Sequence, residues 1–345
     1  MQFAFIAPGP FSTMSGGYAY DRHMIAGVRA AGHSIDAIEL AGTHPLTDAT
    51  AARAAASAWH ALAPDSRAII DGLALPAFAD LAEALTERGA IGVIHHPTAL
   101  ETGFTAAQRE TLRAAERRLM PALGRVIVTS EPTAERLAAD FGVEADRIRV
   151  VTPGIDDAPR SAGSGGPGCA LLSLGALVPR KGHDILLAAL ARLFDLEWHL
   201  TIAGSEKRDP VHARTLSARA ERLGIANRVR FTGEIDDAEL DRLWQKTDIF
   251  ALATHWEGYG MAVAEAMRRG IAVAITAGGA AASLVPIGAG VVCTPGDHEG
   301  LSKALRRLIF DPRLRRAASD AAWEAGKTLS EWPEQIQAFI AAIET

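Results

Sequence analysis

The sequence predicts two α/β domains, each a doubly wound parallel sheet covered by helices on both faces. Three observations predict it. Short apolar runs alternate with helical patterns along nearly the whole chain, as parallel sheets buried on both faces require. The alternation restarts after a glycine-rich break, Ser161-Ala162-Gly163-Ser164-Gly165-Gly166-Pro167-Gly168, which reads as a flexible connection. The chain has 345 residues, about right for two domains. We therefore expect a first domain over 1–157, a linker over 158–168 and a second domain over 169–328. The two should face each other across a cleft.

In the first half, Phe3-Ala4-Phe5-Ile6-Ala7 reads as a buried strand that ends in Pro8-Gly9-Pro10. Gly16-Gly17 then opens a helix from about Tyr18 to Ala30, and a ligand of such a unit lies beyond the strand's carboxyl end. The loop lacks the G-x-G-x-x-G spacing of a dinucleotide site. Ser34 to Leu40 is the second strand, and the alanine-rich stretch 48–62 is a good helix former. Ala68-Ile69-Ile70-Asp71 and Ala90-Ile91-Gly92-Val93-Ile94 are further strands. The latter delivers His95-His96-Pro97 to the ligand-binding end of the sheet, with Pro97 holding His96 extended. No acidic or cysteine partner stands at metal-ligand spacing from the histidine pair. The helix over about 105–119 places Arg109, Arg113 and Arg117 on one face. Glu110 and Glu116 dilute that face, so it reads as solvated, with at most a peripheral touch on an anionic membrane. A strand over 125–129, a helix capped by Ser130 with Pro132 in its first turn, and a strand over 148–151 complete this half.

In the second half, a strand over 170–174 runs into Gly175-Ala176-Leu177-Val178-Pro179-Arg180-Lys181-Gly182, where two adjacent cations precede a helix and suit an anion. Strands over 198–203 and 229–231 follow, each with a helix after it. The apolar strand 248–253 enters His255-Trp256-Glu257-Gly258-Tyr259-Gly260-Met261. Its glycines permit a tight turn, and a helix from about Met261 to Gly270 offers free N–H groups to a phosphate. Glu257 before that helix and Glu265 inside it would flank the anion, which suits a ligand with hydroxyls on both sides of a phosphate, such as a nucleotide sugar. A strand over 271–276 precedes Gly278-Gly279. Val291-Val292 begins the last strand, and helices over about 296–310 and 312–328 close the domain. A final helix, about 333–343, carries Ile336, Phe339, Ile340 and Ile343 on one face and must dock somewhere.

Composition sets further limits. A hydrophobic content of 48% supports sizeable cores, and a net charge of −6 argues against a nucleic-acid surface. Cys169 and Cys293 are the only cysteines; they read as buried small hydrophobes in a reducing, cytoplasmic setting. No apolar run reaches membrane-spanning length, and Met1-Gln2-Phe3 enters a strand with no basic segment of a signal peptide ahead of it.

These motifs together resemble a known family. Gly175-x-Leu177-Val178-Pro179-x-Lys181-Gly182, then Phe231-Thr232-Gly233, then Glu257-Gly258-Tyr259-Gly260 with Glu265, resembles the retaining glycosyltransferases of family 4, which have the GT-B fold. Val151-Thr152-Pro153-Gly154-Ile155-Asp156 is similar to that family's interdomain segment. The resemblance implies a nucleotide-sugar donor held mostly by the second domain, a hydroxyl acceptor of unspecified identity, no cofactor and no metal. It implies that Lys181 contacts the donor diphosphate, Glu265 the ribose and Glu257 the sugar hydroxyls. Gly258, Tyr259, Gly260 and Met261 would meet sugar and phosphate through their backbone, and Gly16 and Gly17 would approach the diphosphate. His95 matches the active-site histidine, with His96 as the alternative, and the last helix would cross back to the first domain. The sequence departs from the pattern at Ala176, where the family often has arginine, and at Ala282, where it often has glutamate. Arg180 could replace the missing guanidinium. The competing readings are a sugar-nucleotide epimerase, a glycosidase using Glu257 and Glu265 as its carboxylate pair, and a silent nucleotide-sugar-binding module.

Overall fold

The architecture comes from a computed structural model that describes residues 1–166 and 168–344. The first compact unit holds Met1–Gly154 and the C-terminal segment from Ser330; the second holds Ile155–Leu329.

The first unit is built from β1 (Gln2–Pro8), α1 (Gly16–Ala30), β2 (Ser34–Leu40), α2 (Ala49–Ala61), β3 (Arg67–Asp71), α3 (Ala82–Arg88), β4 (Ile91–Ile94), α4 (Ala106–Leu119), β5 (Arg125–Val128), α5 (Glu131–Phe141) and β6 (Ile148–Val150). Its six strands lie in the order β2-β1-β3-β4-β5-β6. Each pairing is parallel, with Phe3 opposite Ile35 on one side and Arg67 on the other. Successive strands therefore build outward in both directions from the β1–β3 junction. Ligands of doubly wound sheets lie at the carboxyl ends beside such a reversal. Ile6, Ile70, Val128, Phe78 and Leu112 are part of one core cluster of this unit.

The second unit comprises β7 (Cys169–Leu174), α6 (His183–Ala191), β8 (Trp198–Ala203), α7 (Pro210–Arg222), β9 (Val229–Gly233), α8 (Asp237–Gln245), β10 (Ile249–Leu252), α9 (Met261–Arg268), β11 (Ala272–Thr276), β12 (Gly290–Cys293), α10 (His298–Phe310) and α11 (Pro312–Gly326). Its parallel sheet runs β12-β11-β10-β7-β8-β9, so the reversal falls between β7 and β10. One core cluster contains Leu187, Trp198, Leu216 and Leu305, another Trp244, Phe250, Met267 and Ile275. Cys169 is buried in the first, and its thiol is pushed up to about 12 by that burial, so it acts as the small hydrophobe expected of it.

The last helix, α12 (Trp332–Glu344), belongs to the first unit and packs on α1. His23 stacks on Trp332 at 3.8 Å, and Tyr20 meets the Trp332 and Phe339 rings, each at 6.3 Å. Arg67 and Arg125 donate to the carbonyls of Ile343 (2.7 Å) and Ala342 (2.6 Å), satisfying the negative end of the helix.

Two expectations need correction. The chain changes unit at Gly154/Ile155 and Leu329/Ser330, not across 158–168. Ser161 is fixed to the second unit: its hydroxyl donates to the Trp244 carbonyl (2.9 Å), and Asp248 accepts from the Ser164 amide. Composition shows the glycines but not these partners; Pro167 of that stretch lies outside the described residues. Glu116, read as part of a solvated face, is buried and accepts from Thr98 N (2.6 Å), Thr98 Oγ1 (2.7 Å) and Ala99 N (3.1 Å). Those bonds meet the cost of burying a carboxylate and pin the loop after the histidine pair.

Candidate active site

The loops that follow β7 and β10 leave neighbouring strands at the reversal, which brings Arg180, Lys181 and Glu257 together. Glu257 Oε1 accepts from Lys181 Nζ at 2.7 Å, from Thr254 Oγ1 at 3.0 Å and from Arg180 Nη1 at 3.3 Å. Arg180 also donates to the Trp256 carbonyl (2.6 Å), while its own carbonyl accepts from the His255 amide (2.8 Å). The Arg180 and Lys181 side chains are 15% exposed, so this is not a solvated basic turn. Burial pushes the Glu257 carboxyl up, but Lys181 and Arg180 outweigh it and hold it below its ordinary value. Two cations thus meet on one carboxylate.

This cluster lies beside the turn into α9. Gly260 has φ +105° and caps the helix; a Cβ there would lie 2.9 Å from Ala281 Cβ, and a side chain at that φ is strained. Gly258, Tyr259 and Gly260 carry the chain over this turn, and Met261 is the first helical residue. Glu265 lies about one turn inside. No hydrogen bond or ion pair reaches its carboxylate among the described residues. Burial pushes it up to about 7, against the pull of Arg269 and with the help of Asp156 and Asp241. His183, fully buried at the start of α6, donates to the Gly175 carbonyl (3.3 Å) and braces the loop that bears Lys181. Burial holds it down to about 4, hence neutral.

The first unit has its own cluster. Gly16 and Gly17 form the start of α1, behind the cap Ser15. A Cβ on Gly17 would lie 3.1 Å from His95 Cδ2, so the glycine permits the ring's close approach. His95 Nε2 lies 3.0 Å from Asp21 Oδ1 and 3.5 Å from Asp71 Oδ2. His96 instead meets Glu101 at 2.6 Å. No acidic partner stands at metal-ligand spacing from the histidine pair in the sequence, yet the fold brings acidic groups beside both rings. One ligand atom each from Asp21, Asp71 and His95 lie within 4.8 Å of one another. Sequence spacing hid them because they come from α1, β3 and the end of β4. A signal existed: Asp21 falls on the inward stripe of α1 with Met24, Ile25 and Val28, and Asp71 is the one charged residue ending an apolar strand.

Two six-stranded parallel sheets, each with polar clusters at the carboxyl ends beside its reversal, define the GT-B class. The fold matches sucrose-phosphate synthase from Thermosynechococcus elongatus with a TM-score of 0.84 at 19% identity, over 100% of this chain and 98% of that one. It matches HepE from Anabaena, in complex with UDP-glucose, with a TM-score of 0.78 at 19% identity, over 99% and 100%. Residues 157–324 match the family model of glycosyl transferases group 1, and residues 22–158 that of Glycosyltransferase Family 4; the chain belongs to this glycosyltransferase family. Among curated relatives, mannosylfructose-phosphate synthase from Agrobacterium fabrum is 26% identical over 237 residues, 64% of this chain and 52% of that protein. The matched regions span between about half and two thirds of the length of the first such relatives. No helix among the described residues is long and apolar enough to cross a membrane.

Proposed function

We propose that the protein transfers a sugar from a nucleotide-sugar donor to a hydroxyl acceptor with retention of anomeric configuration. The observation that carries this reading is the cluster of Lys181 and Arg180 on Glu257 beside the α9 N-terminus, with Glu265, unpaired among the described residues, one turn further on. The diphosphate would take the α9 amides and the cations Lys181 and Arg180. Glu265 would accept from the ribose hydroxyls. Glu257 has Oε1 occupied by three donors, which fixes its plane and leaves Oε2 for a sugar hydroxyl. In the reaction the bond from the anomeric carbon to the phosphate oxygen breaks with oxocarbenium-like charge on the sugar. The acceptor oxygen bonds to the same face, and its proton passes to the leaving diphosphate. The chain's own cations, in place of a metal, neutralise that leaving group. Arg180 is held by Glu257 and Trp256, and in this reading it substitutes for the arginine that Ala176 lacks. The family membership and a neighbour solved with UDP-glucose support a nucleotide-sugar donor.

The test is nucleotide release from a panel of nucleotide sugars, with and without a pool of hydroxyl acceptors. Acceptor-dependent release that survives EDTA supports the proposal. Altered sugar without acceptor supports an epimerase, and binding without turnover a silent module. Lys181→Ala and Arg180→Ala should each cost about 2–4 kcal/mol of transition-state stabilisation, the scale for one preorganised donor. Wild-type kinetics in Arg180→Ala would remove the compensation.

A further inference from the structure

At the reversal of the first sheet, two carboxylates from two elements converge on one ring nitrogen of His95. His95 Nε2 faces Asp21 at 3.0 Å and Asp71 at 3.5 Å, and those carboxylates are 2% and 3% exposed. Asp71 is further tied by the Leu73 amide, which donates to its Oδ1 at 2.8 Å. Two carboxylates in a dry site repel each other and demand a counter-charge, and an imidazolium supplies it. Because a carboxylate only accepts, Nε2 carries the hydrogen, which fixes the tautomer and the ring's orientation. The other neighbours do not compete. Tyr20 meets the ring edge-on at 5.3 Å while its hydroxyl donates to the Val151 carbonyl. Gly17 closes against Cδ2 with backbone alone, and Thr129 Oγ1 donates to the His95 carbonyl, not to the ring. Nδ1 has no partner among the described residues, and the side chain keeps 19% exposure.

We propose that Asp21 and Asp71 are positioning residues that hold His95 as an imidazolium, Nε2–H locked on the carboxylates and Nδ1–H offered as a fixed hydrogen-bond donor to an oxygen of the substrate. Burial alone would push the ring down; Asp21, by charge and hydrogen bond, and Asp71 together raise it above its ordinary value, which agrees with that state. Asp71, pushed up to about 7 by burial and by Asp21, carries the smaller share near neutral pH. An imidazolium so held cannot act as a general base. It acts as a stationary charge for the substrate oxygen that Nδ1–H meets. The identity of the substrate oxygen rests on the transfer reading above; the ion trio does not.

The experiment uses the full chain labelled in its histidine rings, with the His95 signals assigned by their loss in His95→Gln. We expect a Nε2-protonated ring whose midpoint lies above that of an exposed histidine. Asp21→Asn should move that midpoint down by about one pH unit, the scale of removing an adjacent opposite charge. Asp71→Asn should move it less, and Asp21→Glu should restore part of the shift. Melting curves confirm that each variant is folded. A midpoint that stays put in Asp21→Asn, or selective broadening of His95 by equimolar Mn²⁺, overturns the proposal, the latter in favour of a cation site. With any donor that the wild type turns over, kcat should fall at least tenfold in Asp21→Asn while KM changes little. The high-pH loss of turnover should begin earlier in that variant. A wild type that turns over no donor defeats the transfer reading, while the ring titration still decides the trio.

Discussion

Glu257 and Glu265 share one motif yet sit in opposite electrostatic surroundings. Cations hold the first ionised; burial among Asp156 and Asp241 pushes the second up to about 7. If Glu265 receives ribose hydroxyls, it does so best as a carboxylate, which is the state above that value. Affinity for whichever nucleoside diphosphate of a panel binds the wild type should therefore rise between pH 6 and pH 8, and rise less in Glu265→Gln, as calorimetry on both proteins can measure. The phosphate's own titration is common to both, so identical slopes would remove the assignment. The spacing of these glutamates around a glycine turn was legible in sequence because a helix of known pitch fixes their separation. The ties of Lys181 and Arg180 to Glu257 were not, since their partners lie more than seventy positions apart in the chain and meet only through the β7–β10 pairing. Asp21 and Asp71 escaped for the same reason.

At the scale of elements, most strands and helices could be read directly, because parallel strands buried on both faces are continuous apolar runs that end where glycine or proline stands. What could not be read was each element's tertiary partner: the carboxylate of Glu116 clamping the loop after β4, or the face of α1 reserved for α12. That face is tight. A Cβ on Gly27 would lie 2.4 Å from Ile336 Cγ2. Gly27→Ala gains helix propensity, yet overpacking there should win and cost about 1–3 kcal/mol. Thermal or urea unfolding would show it as a lowered midpoint. In an Ile336→Ala background, which removes Cγ1, Cγ2 and Cδ1, Gly27→Ala should cost less than it does in the wild type; a single Gly27→Ala variant more stable than wild type would show that the face can yield.

For the molecule as a whole, the connectivity makes one unit continuous in sequence and the other not. Residues 155–329 contain a complete six-stranded sheet with both of its core faces, so that fragment should fold alone and unfold cooperatively, as circular dichroism and amide dispersion can establish. A fragment of 1–154 lacks α12, and with it Trp332, Phe339 and the helix end that receives Arg67 and Arg125. It should melt lower than the same unit in the full chain, and an added peptide spanning 330–345 should restore part of the difference. A cooperative, unchanged melt of the short fragment would show that α12 is dispensable. The return of α12 also orders events during translation. The ribosome makes the whole inserted unit before it makes the helix that the first one needs, so the nascent chain carries an uncovered aromatic seam on α1 throughout that interval. Its exposure lasts as long as synthesis of residues 155–329 takes, which makes elongation speed across the second unit a determinant of how much newly made protein escapes aggregation.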